Sequence, residues 1–558
     1  MMLEEYGRWK RLAKDAAVQS DLERISSDRE QIEDSFYQHL KFGTGGLRGV
    51  LGAGTNRMNV YTVLRATRGL ASYLLKKDGK KVAIGYDTRI NSSLFAEITA
   101  KAVSKLGIEA FVYSEPLPTP MLSYAVRELG CDAGVMITAS HNPSNYNGYK
   151  VYGSDGCQIT DTAADAILAE INSLDYFGET VDFLLSDTES DIKINYISES
   201  LFDKYISRVS ETSHLFGDEA NKNISIVYTP LNGTGYRPVT QILLKNGYLG
   251  VTVVKEQAMP NGNFPTCPYP NPEIADALKL GIKYAKEQGA KILLATDPDC
   301  DRVGVAVKKG ASYKILTGNE VGILLFNYIC EKREKKGKMP ALPIAVKTIV
   351  TTDLAKEIAE KYGVKIIDVL TGFKYIGEKI GELEAKPESG EFIFGFEESC
   401  GYLGGDYVRD KDGVYASYLI AEMTAYYDAQ GISLCDKLEK IYGEHGYAKT
   451  SLYSYSFDGA VGYENMQSVM QYFRGGVSSF DGISVTKAED YLQGLCGLPK
   501  SNVIKFFLEN SSSVVIRPSG TEPKLKIYLS VTAESEGVAE SITEKIKVFC
   551  ENIIKQTK

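Results

Sequence analysis

One pattern occurs three times along this chain and constrains its fold more than any other feature: an apolar strand, a polar loop, an amphipathic helix, then a second strand. The three copies are "KVAIGYDTRINSSLFAEITAKAVSKLGIEAFVYS", "NISIVYTPLNGTGYRPVTQILLKNGYLGVTVV" and "LPIAVKTIVTTDLAKEIAEKYGVKIIDV". A helix that joins two strands in this way covers a sheet face as a parallel crossover. The copies lie too far apart to stack as a solenoid, so they predict three related α/β domains. The last stretch reads differently. "FDGISVTKAEDYL", "NVIKFFLEN", "SSVVIRPSG" and "KLKIYLSV" predict short paired strands, followed by a closing helix from about Glu534 to Ile554. The expected division is therefore 1–205, 206–325 and 326–455 for three α/β mixed-sheet domains, and 456–558 for a smaller C-terminal α+β domain.

A chain of 558 residues is too long for a single core, which agrees with several domains. The net charge of −9 argues against a nucleic-acid partner, since such proteins gather a basic surface to displace counterions. The opening residues are charged and helix-periodic, unlike a signal peptide, and no run reaches the roughly 18 apolar residues of a membrane span. Nine cysteines without a CxxC pair suit a reducing cytoplasm. Four scattered histidines make a multi-histidine zinc site a poor fit, so any metal is expected on oxygen ligands.

Five stretches can carry chemistry. In "ITASHNPSNYNGYK" Ser140 follows a buried strand and precedes turn-forming Asn-Pro and Asn-Gly pairs. On these residues alone it reads equally as a polar turn or as a reactive hydroxyl at a strand end. In "LLATDPDCDRVGVAV" Asp297, Asp299 and Asp301 alternate between two apolar strands, with Arg302 beside them. Three carboxylates on one side of a chain repel unless a hard cation sits among them, and Mg²⁺ is its natural identity. "FGTGGLRGVLGAG" offers close backbone approach and the Arg48 guanidinium, "VVIRPSGTEPKLKIYL" an anion-binding turn of Arg517, Ser519, Gly520 and Thr521. "FGFEESCGYLGGDYVRDKDGV" carries Glu397 and Ser399 for sugar hydroxyls, with Arg409 and Lys411 following.

Taken in order, "TASHNP", "DPDCDR", "GFEES", "RDKDG" and "RPSGTEP" resemble the α-D-phosphohexomutase superfamily, and "FGTGGLRG" with "TGFKYIG" its phosphoglucomutase branch. The resemblance implies four domains around a central cleft and a phosphoserine at Ser140. It implies a metal site made of Ser140, Asp297, Asp299 and Asp301 that holds Mg²⁺. By the same resemblance, glucose 1-phosphate and glucose 6-phosphate interconvert through a glucose 1,6-bisphosphate that turns around in the cleft. Substrate contacts are expected from Arg48, Arg302, Lys347, Gly372, Lys374, Glu397, Ser399 and Arg409, and Lys150 is expected to neutralise charge. The acid–base group is Lys411, whose pKa cationic surroundings would lower, or His141; the histidine some relatives carry after the E-x-S serine is here Cys400-Gly401. A phosphomannomutase or phosphopentomutase would use the same parts, a phosphatase would pass the group to water, and a sugar-phosphate sensor would lack one of the parts. The partners implied are small sugar phosphates, with the chain a monomer or dimer.

Overall fold

The computed structural model describes residues 2–43, 45–186, 193–457, 459–495, 497–519 and 524–557. All three repeated units fold as parallel crossovers, and their sheets share one strand order. In the first, Lys81–Tyr86 pairs in parallel with Glu109–Val112 on one side and Ala133–Ile137 on the other, and Ala133–Ile137 pairs antiparallel with Tyr146–Gly153. In the second, Ile226–Thr229 lies between Val251–Val253 and Ile292–Thr296, and the latter turns back into Val303–Lys309. The third repeats this with Pro343–Thr348 between Lys365–Val369 and Glu391–Glu397, which returns as Gly401–Leu403. Each mixed sheet thus switches from parallel to antiparallel at a hairpin.

Those three hairpin turns contain Ser140, Asp297 to Asp301, and Ser399. Each also holds a non-glycine residue in the left-handed region: Ser140 at φ 52°, Cys300 at 49° and Cys400 at 62°. Such a conformation costs roughly 1–2 kcal/mol for a residue with a Cβ, so the same sharp corner is kept three times against a local penalty.

The fourth sheet is antiparallel throughout, in the order Tyr447–Ser456, Lys524–Ala533, Ser513–Pro518, Ile504–Leu508, Ile483–Asp490, Ser479–Phe480. It packs its own core, including Phe473, Phe480, Phe506 and Ile546, beneath helices Gly459–Arg474 and Glu536–Thr557. Its first strand begins nine residues ahead of the expected boundary at 456, because Tyr447–Ser456 pairs along its whole length with Lys524–Ala533. Positions 205 and 325 fall inside helices Glu199–Glu211 and Gly318–Lys335.

The second and third sheets share one continuous apolar core. Its axis is helix Gly413–Asp428, buried from Gly413 to Tyr427. A helix apolar on every side must be enclosed on every side. Buried Asp412 caps it, accepting from the Val414 and Tyr415 amides and from the hydroxyls of Tyr205 and Tyr407. A Cβ at Gly413 would stand 2.6 Å from the Cys300 carbonyl oxygen, so only glycine lets this helix start against the acidic loop. No helix among the described residues is long and apolar enough to cross a membrane.

Candidate active site

Ser140 is held from both sides. Its amide donates to Thr138 Oγ1 at 2.8 Å, and that hydroxyl donates to Asp87 Oδ2 at 2.6 Å. Its own carbonyl, with those of Asn142, Pro143 and Tyr146, accepts from the guanidinium of Arg89. The hydroxyl is thereby presented to the second sheet, where Ser140 Oγ donates to Asp297 Oδ2 at 2.9 Å; His141 Nδ1 lies 3.2 Å from the same oxygen.

Asp297, Asp299 and Asp301 are buried and each offers an oxygen within 4.8 Å of the others. The amides of Asp301 and Arg302 donate to Asp297 Oδ1, and Thr119 clamps Asp299 through its amide and hydroxyl, both at 2.9 Å. Asp299 Oδ1 and Asp301 Oδ1 accept no hydrogen bond although they are buried. Hard oxygen donors left unsatisfied in a dry site fit a hard divalent cation.

Two lysines from different domains answer the negative charge. Lys150 Nζ lies 3.0 Å from Asp299 Oδ2 and 3.5 Å from Asp301 Oδ2, and Lys411 Nζ lies 2.8 Å from Asp301 Oδ2. Burial and the neighbouring carboxylates push Asp297 well above the usual carboxylate range. Asp299 is burdened by the same burial, yet Lys150 and Lys411 hold it low. Burial would depress Lys411, but Asp301, Asp410 and Glu397 outweigh it and raise the ammonium above its ordinary value. The expected lowering of this lysine by cationic neighbours is thus opposed by the carboxylates that surround it. His141 is shifted well down, by burial and by the charges of Arg302 and Arg48, and is a neutral imidazole.

The third hairpin closes onto the same point. A Cβ on Gly401 would meet Lys411 Cδ at 2.6 Å and Glu397 Oε1 at 3.0 Å, so these two side chains pack around that glycine. Arg302 donates to Glu273 at 2.7 Å and feels the charge of Glu397. Arg48 reaches the serine loop through Asn142 Oδ1 at 3.1 Å. Lys374, beside positive-φ Gly372, pairs with Asp161 at 2.9 Å across to the first domain. In the fourth domain the Tyr528 phenol is raised by burial first and then by the charge of Glu398, while the charge of Arg517 lowers it. Ser519, its amide bonded to the Lys524 carbonyl at 2.7 Å, directly follows the strand Ser513–Pro518, and Gly520 and Thr521 lie outside the described residues.

Two expected substrate contacts are turned elsewhere. Lys347 is fully enclosed and paired with Asp353 and Asp368, both at 2.9 Å. Arg409 is also enclosed; it bonds Glu384 and the carbonyls of Asp406 and Val408, and so braces the loop that presents Lys411. Conversely, sequence reasoning passed over Arg89, Asp87 and Thr119. The D-x-R at the end of "KVAIGYDTR" was the available sign, since charged groups at the carboxyl end of a central parallel strand face the ligand crevice.

A buried serine, three carboxylates and two lysines are thus brought from separate α/β domains to one point, a set suited to holding a divalent cation beside a reactive hydroxyl. The chain matches the phosphoglucomutase/phosphomannomutase alpha/beta/alpha domains I, II and III over residues 39–177, 203–310 and 317–443, and the C-terminal domain over 481–546. A curated phosphoglucomutase of Staphylococcus saprophyticus subsp. saprophyticus is 35% identical over 543 residues, 94% of this chain and 96% of that protein. One from Staphylococcus aureus strain MSSA476 is 34% identical over 557 residues, 96% and 98% of the two chains. The chain belongs to the phosphoglucomutase/phosphomannomutase family. In fold it is similar to pp63/parafusin, a phosphoglucomutase from Paramecium in its open form (TM-score 0.69, 19% identity, 94% of this chain and 96% of that one). A phosphoglucomutase/phosphomannomutase family protein from Burkholderia thailandensis has TM-score 0.67 at 18% identity, covering 92% and 97%.

Proposed function

We propose that this chain interconverts α-D-glucose 1-phosphate and glucose 6-phosphate, with Ser140 as the residue that carries the travelling phosphoryl group. The observation that supports this most is the 2.9 Å contact of Ser140 Oγ with Asp297, beside buried carboxylate oxygens that have no hydrogen-bond donor. The sugar follows from the curated relatives, which are named phosphoglucomutases.

In the first half-reaction a sugar hydroxyl forms a bond to the phosphorus on Ser140 while the Oγ–P bond breaks, giving glucose 1,6-bisphosphate. After the intermediate turns around, the other phosphate returns to Ser140 and the isomer leaves. Asp297, Asp299 and Asp301, with phosphorylated Ser140, would hold Mg²⁺, which supplies charge neutralisation and polarises the transferring group. Lys150 and Lys411 balance the charge that spreads over the phosphoryl oxygens. In the returning half-reaction Lys411 gives a proton to the leaving sugar oxygen while neutral His141, 3.2 Å from Ser140 Oγ, takes the serine proton; in the first half-reaction both transfers run in reverse, the sugar hydroxyl's proton passing to Lys411 and Oγ regaining its proton from His141. Glu397 and Ser399 bind the 3- and 4-hydroxyls, and the strand end at Arg517 and Ser519 holds whichever phosphate is not reacting.

The test is a panel of glucose, mannose and ribose 1-phosphates with catalytic bisphosphate and Mg²⁺. Glucose 1-phosphate should turn over fastest, with isomer formation exceeding phosphate release. A much larger rate on ribose 1-phosphate overturns the sugar, and dominant phosphate release overturns the mutase.

A further inference from the structure

The C-terminal sheet has its own core, yet one of its charged side chains is buried in the neighbouring domain. Lys505, on strand Ile504–Leu508, is 1% exposed, and its ammonium donates to the Ile349 carbonyl at 2.9 Å and to Asp353 Oδ2 at 3.0 Å. The Ser513 hydroxyl, from the adjacent strand, donates to the same carboxylate oxygen at 3.4 Å. Within the third domain Asp353 Oδ1 already pairs with Lys347 and Lys356, both at 2.9 Å, and these lysines also pair with Asp368 at 2.9 and 2.8 Å. Two lysines therefore balance two aspartates without Lys505. Burying an ammonium costs several kcal/mol before its contacts compensate, so a buried lysine surplus to charge balance points to a geometric role. Around it Tyr491, Val503, Val515 and Tyr528 pack on Ile349 and Leu370.

We infer that Lys505 is a positioning residue for the reaction: seated on the Ile349 carbonyl and Asp353, it fixes the strand end that carries Arg517 relative to the sugar loop. Lys505 is in register with Val515, two residues before Arg517 on the same strand. The loop that receives Lys505 also reaches the sugar loop, because the hydroxyls of Thr348 and Thr351 donate to Glu398 at 3.2 and 3.4 Å. One short segment, 348–353, thus touches both the sugar-reading hairpin and the sheet that grips the distant phosphate. The inference rests on the proposed role of Arg517 in holding the non-reacting phosphate.

The test is Lys505→Met, which keeps the stem and removes the charge, beside Lys356→Met, which removes the same charge from within the third domain. Small-angle scattering of each full chain reads docking of the C-terminal domain. Release of labelled glucose 1,6-bisphosphate during turnover reads retention of the intermediate. Lys505→Met should enlarge the radius of gyration and raise bisphosphate release at least about fivefold, because a loosened domain opens before the intermediate has turned. Lys356→Met should do neither. Wild-type scattering in Lys505→Met, or equal bisphosphate escape from both variants, overturns the inference. Should the wild-type chain fail to isomerise sugar phosphates, the function reading fails, while expansion of Lys505→Met still supports the seat and unchanged scattering still refutes it.

Discussion

Arg89→Lys isolates what holds the reactive serine in place. Arg89 donates to the carbonyls of Ser140, Asn142, Pro143 and Tyr146, and its Nε lies 3.3 Å from Asp87. A guanidinium has five N–H donors in a fixed fork, whereas an ammonium has three on a shorter reach. Lysine can therefore serve Asp87 and at most two of those carbonyls, leaving two or more without a donor. At about 1–3 kcal/mol for each buried group left unsatisfied, the loop should lose about 2–6 kcal/mol of local stability. Amide hydrogen exchange across residues 138–148 measures that loss directly. Displacing the hydroxyl by about 1 Å should lower kcat/KM about a hundredfold. Metal affinity should change much less, because the three aspartates lie on a different loop whose supports are Thr119 and its own amides. Exchange and kcat/KM both within twofold of wild type would refute the claim that Arg89 shapes this corner. A variant that keeps the serine loop protected but loses metal would refute the division of labour between the loops.

Ser140→Ala should abolish isomerisation and incorporation of labelled phosphate from the bisphosphate, with an unchanged circular dichroism spectrum; normal turnover would defeat the nucleophile assignment. Chelation should stop turnover and added Mg²⁺ restore it, while Asp299→Asn should weaken metal binding measured by calorimetry. Gly322→Ala should destabilise the third domain by about 1–3 kcal/mol in denaturant unfolding, since its Cβ would stand 2.1 Å from the Phe396 ring in a filled core. Burial and Glu397 raise Glu398 to about 7 from 4.5, so the folded state binds this proton more tightly than the unfolded chain. Its stabilising share is present below about pH 4.5 and is lost as pH rises through 7, and Glu398→Gln should flatten that part of the stability profile.

The repeated units were legible because strand and helix periods differ and because each crossover ends at a turn residue; all three fold as parallel pairs. The acidic triplet was legible for a local reason, since alternate side chains in an extended loop must share a side. What was hidden depends on where the chain goes afterwards. Tyr447–Ser456 is half-buried through Ser451 and alternates exposed with half-buried residues only from Leu452 onward, and nothing in that pattern tells which sheet it joins. Lys347 and Arg409 look like anion ligands in sequence, but Asp353, Asp368 and Glu384 meet them from positions that only the fold brings near. Lys411 illustrates the same limit in part: its neighbour Asp410 is visible in sequence, but Asp301, the carboxylate that raises it most, lies on the hairpin of another domain.

The left-handed corner at Ser140 has a consequence for how this protein would respond to losing its chemistry. Glycine adopts that backbone geometry freely, and alanine does not. Ser140→Gly and Ser140→Ala should be equally inert, yet the glycine form should be the harder of the two to melt. The native hydroxyl occupies a place where a side chain is itself a burden, so the reactive position is among those where durability and activity pull in opposite directions.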